Sequence, residues 1–461
     1  MFIEEPLPFI KDFINELDLS LRESGGNSYL SKIQKYWLGF CILSILITNS
    51  VCWARFERFS LKGYSQAALS WMFRKSKLPW EAILAGSVRV ILKYYQIKEG
   101  HIVLDDSENG RSKNAKKIHK LHKIKDKKTG GYILGQSLVL LVLVSDKITF
   151  PIGFAFYAPD PAIKVWEKED KKLQKKGIKK RNRPSKPRRN KDYPKKEDLA
   201  LILLEKFRLA FPLIKIISIS ADALYGTDHF MEKASSLFGL TQVISQLRKN
   251  QLVWQDSQWV NLSSLFQLKP FYVQKVQLRG KEVEVTYSYI TAKVKAHDGK
   301  KRKIIALKYE DEEEYRYLVA TDTSWIAESI IQCYALRWLV EVFFQDWKSY
   351  EGWGQLAKHT GFDGSNRGLI LSLLVDHCLL LHPEQTAQIE DKLPAFTVGS
   401  LREKVIVENF ISFVRSLLKD QNPQERLIKL AENAEIIFQG NLSSKHMNTV
   451  DLEFERIKAA A

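Results

Sequence analysis

The feature that most restricts this chain is a change of hydrophobic period near residue 100. Before it, apolar residues recur at helical spacing through Tyr29 to Cys52 and through Tyr64 to Tyr95. After it come short runs rich in β-branched residues: Ile102-Val103-Leu104, then Leu138 to Val144 and Ile148 to Tyr157, joined by Ser145-Asp146-Lys147 as in a hairpin. A helix over about 197–211 leads into the strand-like Ile214 to Ser220, followed by a helix over about 228–238 and a strand at Gln242 to Leu247. Strands alternating with helices in this way predict an α/β core, a mixed sheet with flanking helices.

Residues 250–325 read differently. Val283, Val285, Tyr287 and Tyr289 alternate with polar residues, and strand-like runs recur at 271–278, 303–309 and 315–320. This predicts a β-rich insertion with one wetted face. The expected organisation is a helical region at 1–98 able to bind DNA, a core at 99–249, the insertion at 250–325, a core helix at 326–350, and a helical region at 351–461. That last region is suited to dimerisation and has a frayed tail. No internal repeat is visible.

Charge narrows the partners. The 461 residues carry 71 Lys and Arg against 53 Asp and Glu, a formal charge of +18. Residues 171–196 hold fourteen Lys/Arg and one acid, Asp192; residues 111–128 hold nine and one, Asp126. These two segments carry the whole excess. Such blocks repel themselves and gain by neutralising a polyanion, with release of its counterions. Pro184, Pro187 and Pro194 predict an extended, mobile loop for the second block. Four scattered cysteines without a CxxC pair argue against a disulfide framework or a zinc knuckle. The start lacks a basic n-region, and the apolar stretch from Trp37 to Cys52 is shorter than the ~20 residues a bilayer needs. A reduced, soluble, cytoplasmic protein without a membrane segment is expected.

Two strands deliver carboxylates at their ends, Asp105 after Ile102-Val103-Leu104 and Asp222 after Ile217-Ser218-Ile219. Neighbouring strands lie ~4.8 Å apart, so two such groups at one sheet edge can share a divalent cation. Asp also ends strands for purely local reasons. Asp106 competes with Asp105, since alternation points only one of them into a common site.

The helix at 326–350 adds a third acid. At ~100° per residue, Tyr334, Arg337, Glu341 and Lys348 share one narrow stripe. Leu336, Leu339, Val340, Phe343 and Trp347 form the opposite, core face, and Trp338 borders the stripe. His119 and His122 have ligand-like spacing but lie within a lysine block that repels cations, so they read as DNA-facing or inert; His101 reads as a satisfied border residue.

The spacing Tyr334-x2-Arg337-x3-Glu341-x6-Lys348 resembles the Y-R-E-K signature of DDE transposases of the insertion-sequence-four superfamily. Asp105-Asp106-Ser107 resembles that family's first D-x-[S/T], and Ala221-Asp222-Ala223-Leu224-Tyr225-Gly226 its second D box. The resemblance covers roughly residues 100–350 and implies an RNase H-like catalytic domain. It further implies that Asp105, Asp222 and Glu341 hold two Mg²⁺ ions (or Mn²⁺) for phosphodiester cleavage and strand transfer, with no small-molecule cofactor. Tyr334, Arg337, Trp338 and Lys348 are then DNA contacts, and a homodimer on double-stranded DNA is implied. A non-catalytic DNA-binding relative and an RNase H-like nuclease without strand transfer are the alternatives.

Overall fold

The computed structural model describes residue 3 and residues 5–23, 29–60, 63–111, 115–126, 129–278, 280–310, 312–354 and 359–437. The expected frayed tail lies outside them.

Five helices open the chain: α1 (Pro8–Glu23), α2 (Lys32–Thr48), α3 (Trp53–Phe59), α4 (Gln66–Lys75) and α5 (Trp80–Tyr94). Ser31 starts α2 with a reciprocal capping box to Gln34, and Asn49 ends it in the left-handed region. From Trp37 to Thr48 every residue of α2 is buried in protein. Among the described residues no single helix is long and apolar enough to cross a membrane; α2 and α3 together reach the length and composition but are bent by 88°.

The sheet begins with β1 (Glu99–Gly110), β2 (His122–Lys125), β3 (Tyr132–Val144) and β4 (Thr149–Tyr157). Helices α6 (Pro161–Lys175) and α7 (Lys196–Ala210) follow, then β5 (Lys215–Ala221), α8 (Asp228–Leu237) and β6 (Gln242–Leu247). The order β4-β3-β1-β5-β6, with β1 antiparallel to β3 and parallel to β5, is the mixed sheet that the strand and helix order predicts.

Next come β7 (Leu252–Gln255), β8 (Gln258–Asn261), the short α9 (Leu262–Phe266), β9 (Tyr272–Leu278), β10 (Lys281–Val294), β11 (Lys301–Tyr309) and β12 (Arg316–Ala320). The β-rich segment is continuous with the core, because β12 pairs antiparallel with β6 and one twelve-stranded sheet results. The chain then forms α10 (Ala327–Ala335), α11 (Trp338–Tyr350), α12 (Gly361–Leu380), α13 (Pro383–Glu390), α14 (Val398–Leu418) and α15 (Pro423–Ile437).

Strand alternation sends β1 side chains to two cores. Val103 joins the core of the N-terminal helices, α11 and α12, whereas Ile102 and Leu104 join Leu199, Leu203 and Phe230 of α7 and α8. That division decides where the next two residues point.

Three expectations need correction. Residues 326–350 are two helices and not one, because the bonds around Leu336 and Arg337 tighten to the i→i+3 pattern, with Arg337 N–H donating to Tyr334 O at 3.0 Å. Residues 171–175 finish helix α6 and are not loop. The remainder of the basic segment folds back: Trp166 Nε1 donates to Pro184 O at 2.8 Å, Arg183 pairs with Asp170 at 2.8 Å, and Asn190 N–H donates to Asp160 at 2.8 Å. Prolines fix the path, and neighbouring acids and an indole tie it down. Finally, Asp105 is not at a strand end, since β3 continues beside β1 as far as Gly110.

Candidate active site

What ends beyond Leu104 is the parallel pairing. Leu104 is opposite Ala221, the last residue of β5, and there β1 loses its neighbour. Asp105 and Asp222 are the next residue on each strand. Asp222 then caps a short 3₁₀ turn, accepting from Ala223 N–H at 2.7 Å. Gly226 ends this turn so close to β6 that a Cβ there would lie 2.3 Å from Gln246 O; no other residue type fits.

Asp105 shares the face of Val103, toward α11, and Asp106 the face of Leu104, toward α7. Their ion pairs follow suit. Arg337 Nη1 meets Asp105 Oδ2 at 2.8 Å, and Lys196 Nζ, from the first turn of α7, meets Asp106 Oδ2 at 2.5 Å. Asp105 thus shares Arg337 with Glu341 while Asp106 is held by Lys196, and both acids line the same cleft. Arg337 Nη2 reaches Glu341 Oε1 at 2.7 Å, so one guanidinium bridges a strand acid and a helix acid.

Asp105, Asp222, Arg337, Glu341 and Lys348 line a single cleft of about 850 Å³. Glu341 is one third exposed and Asp105 about half that. Burial pushes the Asp105 carboxyl up to about 6; Arg337 and the Asp106 amide pull it down, while Asp106 and Asp222 add to the rise. Burial works against the Arg337 charge, but Tyr334, Asp105 and Glu341 more than offset it and hold it above its ordinary value. Lys348 sits over the Phe344 and Trp353 rings, 5.9 and 5.1 Å from their centres.

Tyr334 and Trp338 go elsewhere. With Arg337, Glu341, Tyr309 and Arg316 they line an adjoining pocket of about 550 Å³. Tyr334 is only 4% exposed; it packs with Ile330 and Ile331, accepts a 2.6 Å bond from Gln246 Nε2, and lies 5.9 Å from the Arg337 guanidinium. The helical wheel read this stripe as pointing away from the core. Tyr334 shares a face of α10 with Ala327, Ile330 and Ile331, and that face packs with Ile244 of β6, Val285 of β10, Ile305 and Leu307 of β11 and Leu318 of β12; a wheel sees only its own helix.

The histidines are structural. His101 bonds Ser218 at 2.8 Å, His122 bonds Lys120 O and Ser137, and His119 packs edge-on against Phe156 and Phe362. Sequence reasoning missed Lys196, counted only as one charge in a block, and Tyr225. Tyr225 is fully buried, its hydroxyl has no hydrogen-bond partner among the described residues, and burial together with Asp106, Asp105 and Asp222 pushes its ionisation up. Its signal was a position three residues after Asp222 in the quoted turn.

The donor set suits a hard cation. Carboxylates line the cleft without thiol or imidazole, and a bound cation would relieve the mutual repulsion of Asp105 and Asp222. Among the described residues, however, no three His, Cys, Asp or Glu side chains form a group able to hold a metal. Arg337 stands between two of the acids instead.

A family described as "Transposase DDE domain" matches residues 193–375, which takes in Asp222 and Glu341 and begins beyond Asp105. A search of curated proteins finds no match. A solved structure of the piggyBac transposase synaptic complex with hairpin DNA is similar at a TM-score of 0.42 and 12% identity, covering 96% of this chain and 86% of that one. That likeness is too distant to place any residue.

Proposed function

We propose that this chain is a DDE-type DNA transposase of the insertion-sequence-four superfamily. It binds the ends of a mobile element as a homodimer on double-stranded DNA, on the nucleoid in the cytoplasm, and carries out metal-dependent strand cleavage and strand transfer by a cut-and-paste route. One observation carries this reading: acids 117 and 119 residues apart in sequence, Asp105, Asp222 and Glu341, line one cleft with Arg337 and Lys348.

In this reading Asp105, Asp222 and Glu341 hold two Mg²⁺ ions, which supply activation of the attacking oxygen and stabilisation of the leaving one. The chain's own groups do the rest. Arg337 and Lys348 grip phosphate beside the acids, Arg337 with two parallel N–H bonds and Lys348 as a point charge. Tyr334 fixes Arg337 from behind. Trp338, at the margin of the adjoining pocket, offers a face for an unpaired base. The folded basic segment steers duplex DNA toward the cleft.

The test is divalent-ion-dependent nicking and joining of plasmid DNA carrying element ends, resolved on gels. Joined products distinguish a transposase from a nuclease. The bridging position of Arg337 favours one second reading, a DNA-binding relative without catalysis, and absence of nicking in Mg²⁺ and in Mn²⁺ would establish it.

A further inference from the structure

Each Asp105 oxygen already accepts one hydrogen bond, and one of the two comes from the charge that a metal would have to face. Oδ1 accepts from the Asp106 amide at 2.7 Å and Oδ2 from Arg337 at 2.8 Å. The amide is fixed by the backbone of β1, so only the guanidinium can leave. On its other side Arg337 holds Glu341 Oε1 at 2.7 Å. The two contacts come from different nitrogens, one to each carboxylate, so the side chain spans the pair rather than clasping either acid. Among the described residues, no basic side chain forms an ion pair with Asp222, another acid of the cleft.

We propose that Arg337 is a built-in surrogate for the divalent cation: it holds Asp105 and Glu341 together before metal binds, and is displaced from them as metal enters. This rests on the metal-binding part of the reading above. Half-buried carboxylates facing one another without a cation are destabilising, and a guanidinium, always protonated, is the side chain best able to satisfy two at once. Magnesium takes oxygens at ~2.0–2.1 Å, so the lone pairs now bonded to Arg337 cannot serve both. Because arginine does not lose its proton, exchange proceeds by competition and not by titration. The freed guanidinium stays beside the cleft, where a phosphate can replace the carboxylates as its partner. Metal entry and phosphate capture are thereby coupled through one side chain.

The experiment measures Mn²⁺ binding to the full DNA-free chain by the electron paramagnetic resonance of free Mn²⁺. Arg337→Gln removes the competing charge while keeping much of the stem, and Arg337→Lys keeps a charge that cannot span both acids. Mn²⁺ affinity is expected to rise about tenfold in Arg337→Gln and by less in Arg337→Lys, and the gain is expected to vanish when Asp105→Asn is added. Without metal, Arg337→Gln should melt below the wild type, with Mn²⁺ raising its midpoint more than it raises that of the wild type. Unchanged or weaker Mn²⁺ binding in a folded Arg337→Gln or Arg337→Lys chain overturns the proposal. Should the wild type nick DNA while neither variant gains affinity, the surrogate falls alone. Should affinity rise as expected while the wild type nicks no DNA, the surrogate stands and the transposase reading falls.

Discussion

Helix α11 carries acids at both ends, and the two ends are treated in opposite ways. At its first turn, Glu341 opens on a cleft and shares Arg337 with Asp105. Just past its last turn, Glu351 is 0% exposed and faces Asp376 of α12, which is 7% exposed. Among the described residues, nothing but the facing carboxyl is placed to bond either Glu351 oxygen or Asp376 Oδ2. Around them Trp347 stacks on Trp353 with ring centres 4.2 Å apart, and Trp347 Nε1 bonds Ser372, which bonds Glu351 O. Burial pushes both carboxyls well up, and proximity adds to the rise for Glu351. An ion in so dry a place is costly, so the group keeps its proton. The cleft end holds charge ready for a cation, and the buried end removes charge by protonation. Access and counter-charge are what separate the two ends, since residue type and helix are the same in both.

The largest effect should separate these ends directly. Asp105→Asn, Asp222→Asn and Glu341→Gln each remove a hard ligand with little change of volume, and each should lower metal-dependent nicking on the order of 10⁴-fold while leaving DNA binding nearly intact. Glu351→Gln, the same substitution ten residues along the helix, should nick within a few-fold of the wild type. Equal losses at Glu341 and Glu351 would erase the distinction; wild-type nicking in any of the first three would remove that acid from the site.

This distinction was only half legible in the sequence. The β-branched runs and the turn box announced β1, β5 and Asp222, and the four-residue spacing announced Glu341, because these signals lie within single elements. The choice of Asp105 over Asp106 needed both faces of the sheet, one covered by α7 and the other by α11. The break before Trp338 gave no warning, since Leu336 and Arg337 keep right-handed helical dihedrals and no Gly or Pro intervenes. Tyr334 looked wet because the strands that bury it, from β6 to β12, lie outside its own helix. Glu351 and Asp376 come together only through the packing of α12 against α11, which no signal within either helix announces.

In the proposed function the open end must also be reachable by a polyanion, and the basic segment is the part of the chain proposed to supply that. Lys171, Lys172, Lys175, Lys176, Lys179 and Lys180 are all exposed, whereas Arg183 and Lys196 are tied into the fold. Replacing the six exposed lysines with Gln should weaken binding to every DNA sequence alike, on the order of 10²-fold near physiological salt. It should also flatten the dependence of log K on log salt by ~0.9 for each phosphate no longer neutralised. Titrations at several salt concentrations measure this. An unchanged slope would leave these six charges as plain solvated surface and move the DNA path elsewhere. The same substitutions should not touch the buried end, so the melting temperature should stay within a degree or two of the wild type.

The smallest effect is a matter of pH, and above the range in which Asp105 titrates, about 6, it belongs to the buried end. Burial raises the Asp376 carboxyl from its ordinary value to about 8, and raises Glu351 as well. Between the ordinary carboxylate range and about 8 the folded chain therefore holds more protons here than the unfolded chain. Stability contributed by the pair is greatest below that range and falls as pH rises through it, with a limiting slope of ~1.4 kcal/mol per pH unit for each extra proton held. Asp376→Asn cannot ionise and can donate to Glu351, so it should flatten the stability–pH profile between about pH 5 and 8. Chemical denaturation at several pH values, wild type beside variant, reads the difference. A wild-type slope that survives Asp376→Asn would mean the pair is not the proton store, and the contrast between the two ends of α11 would lose its physical basis.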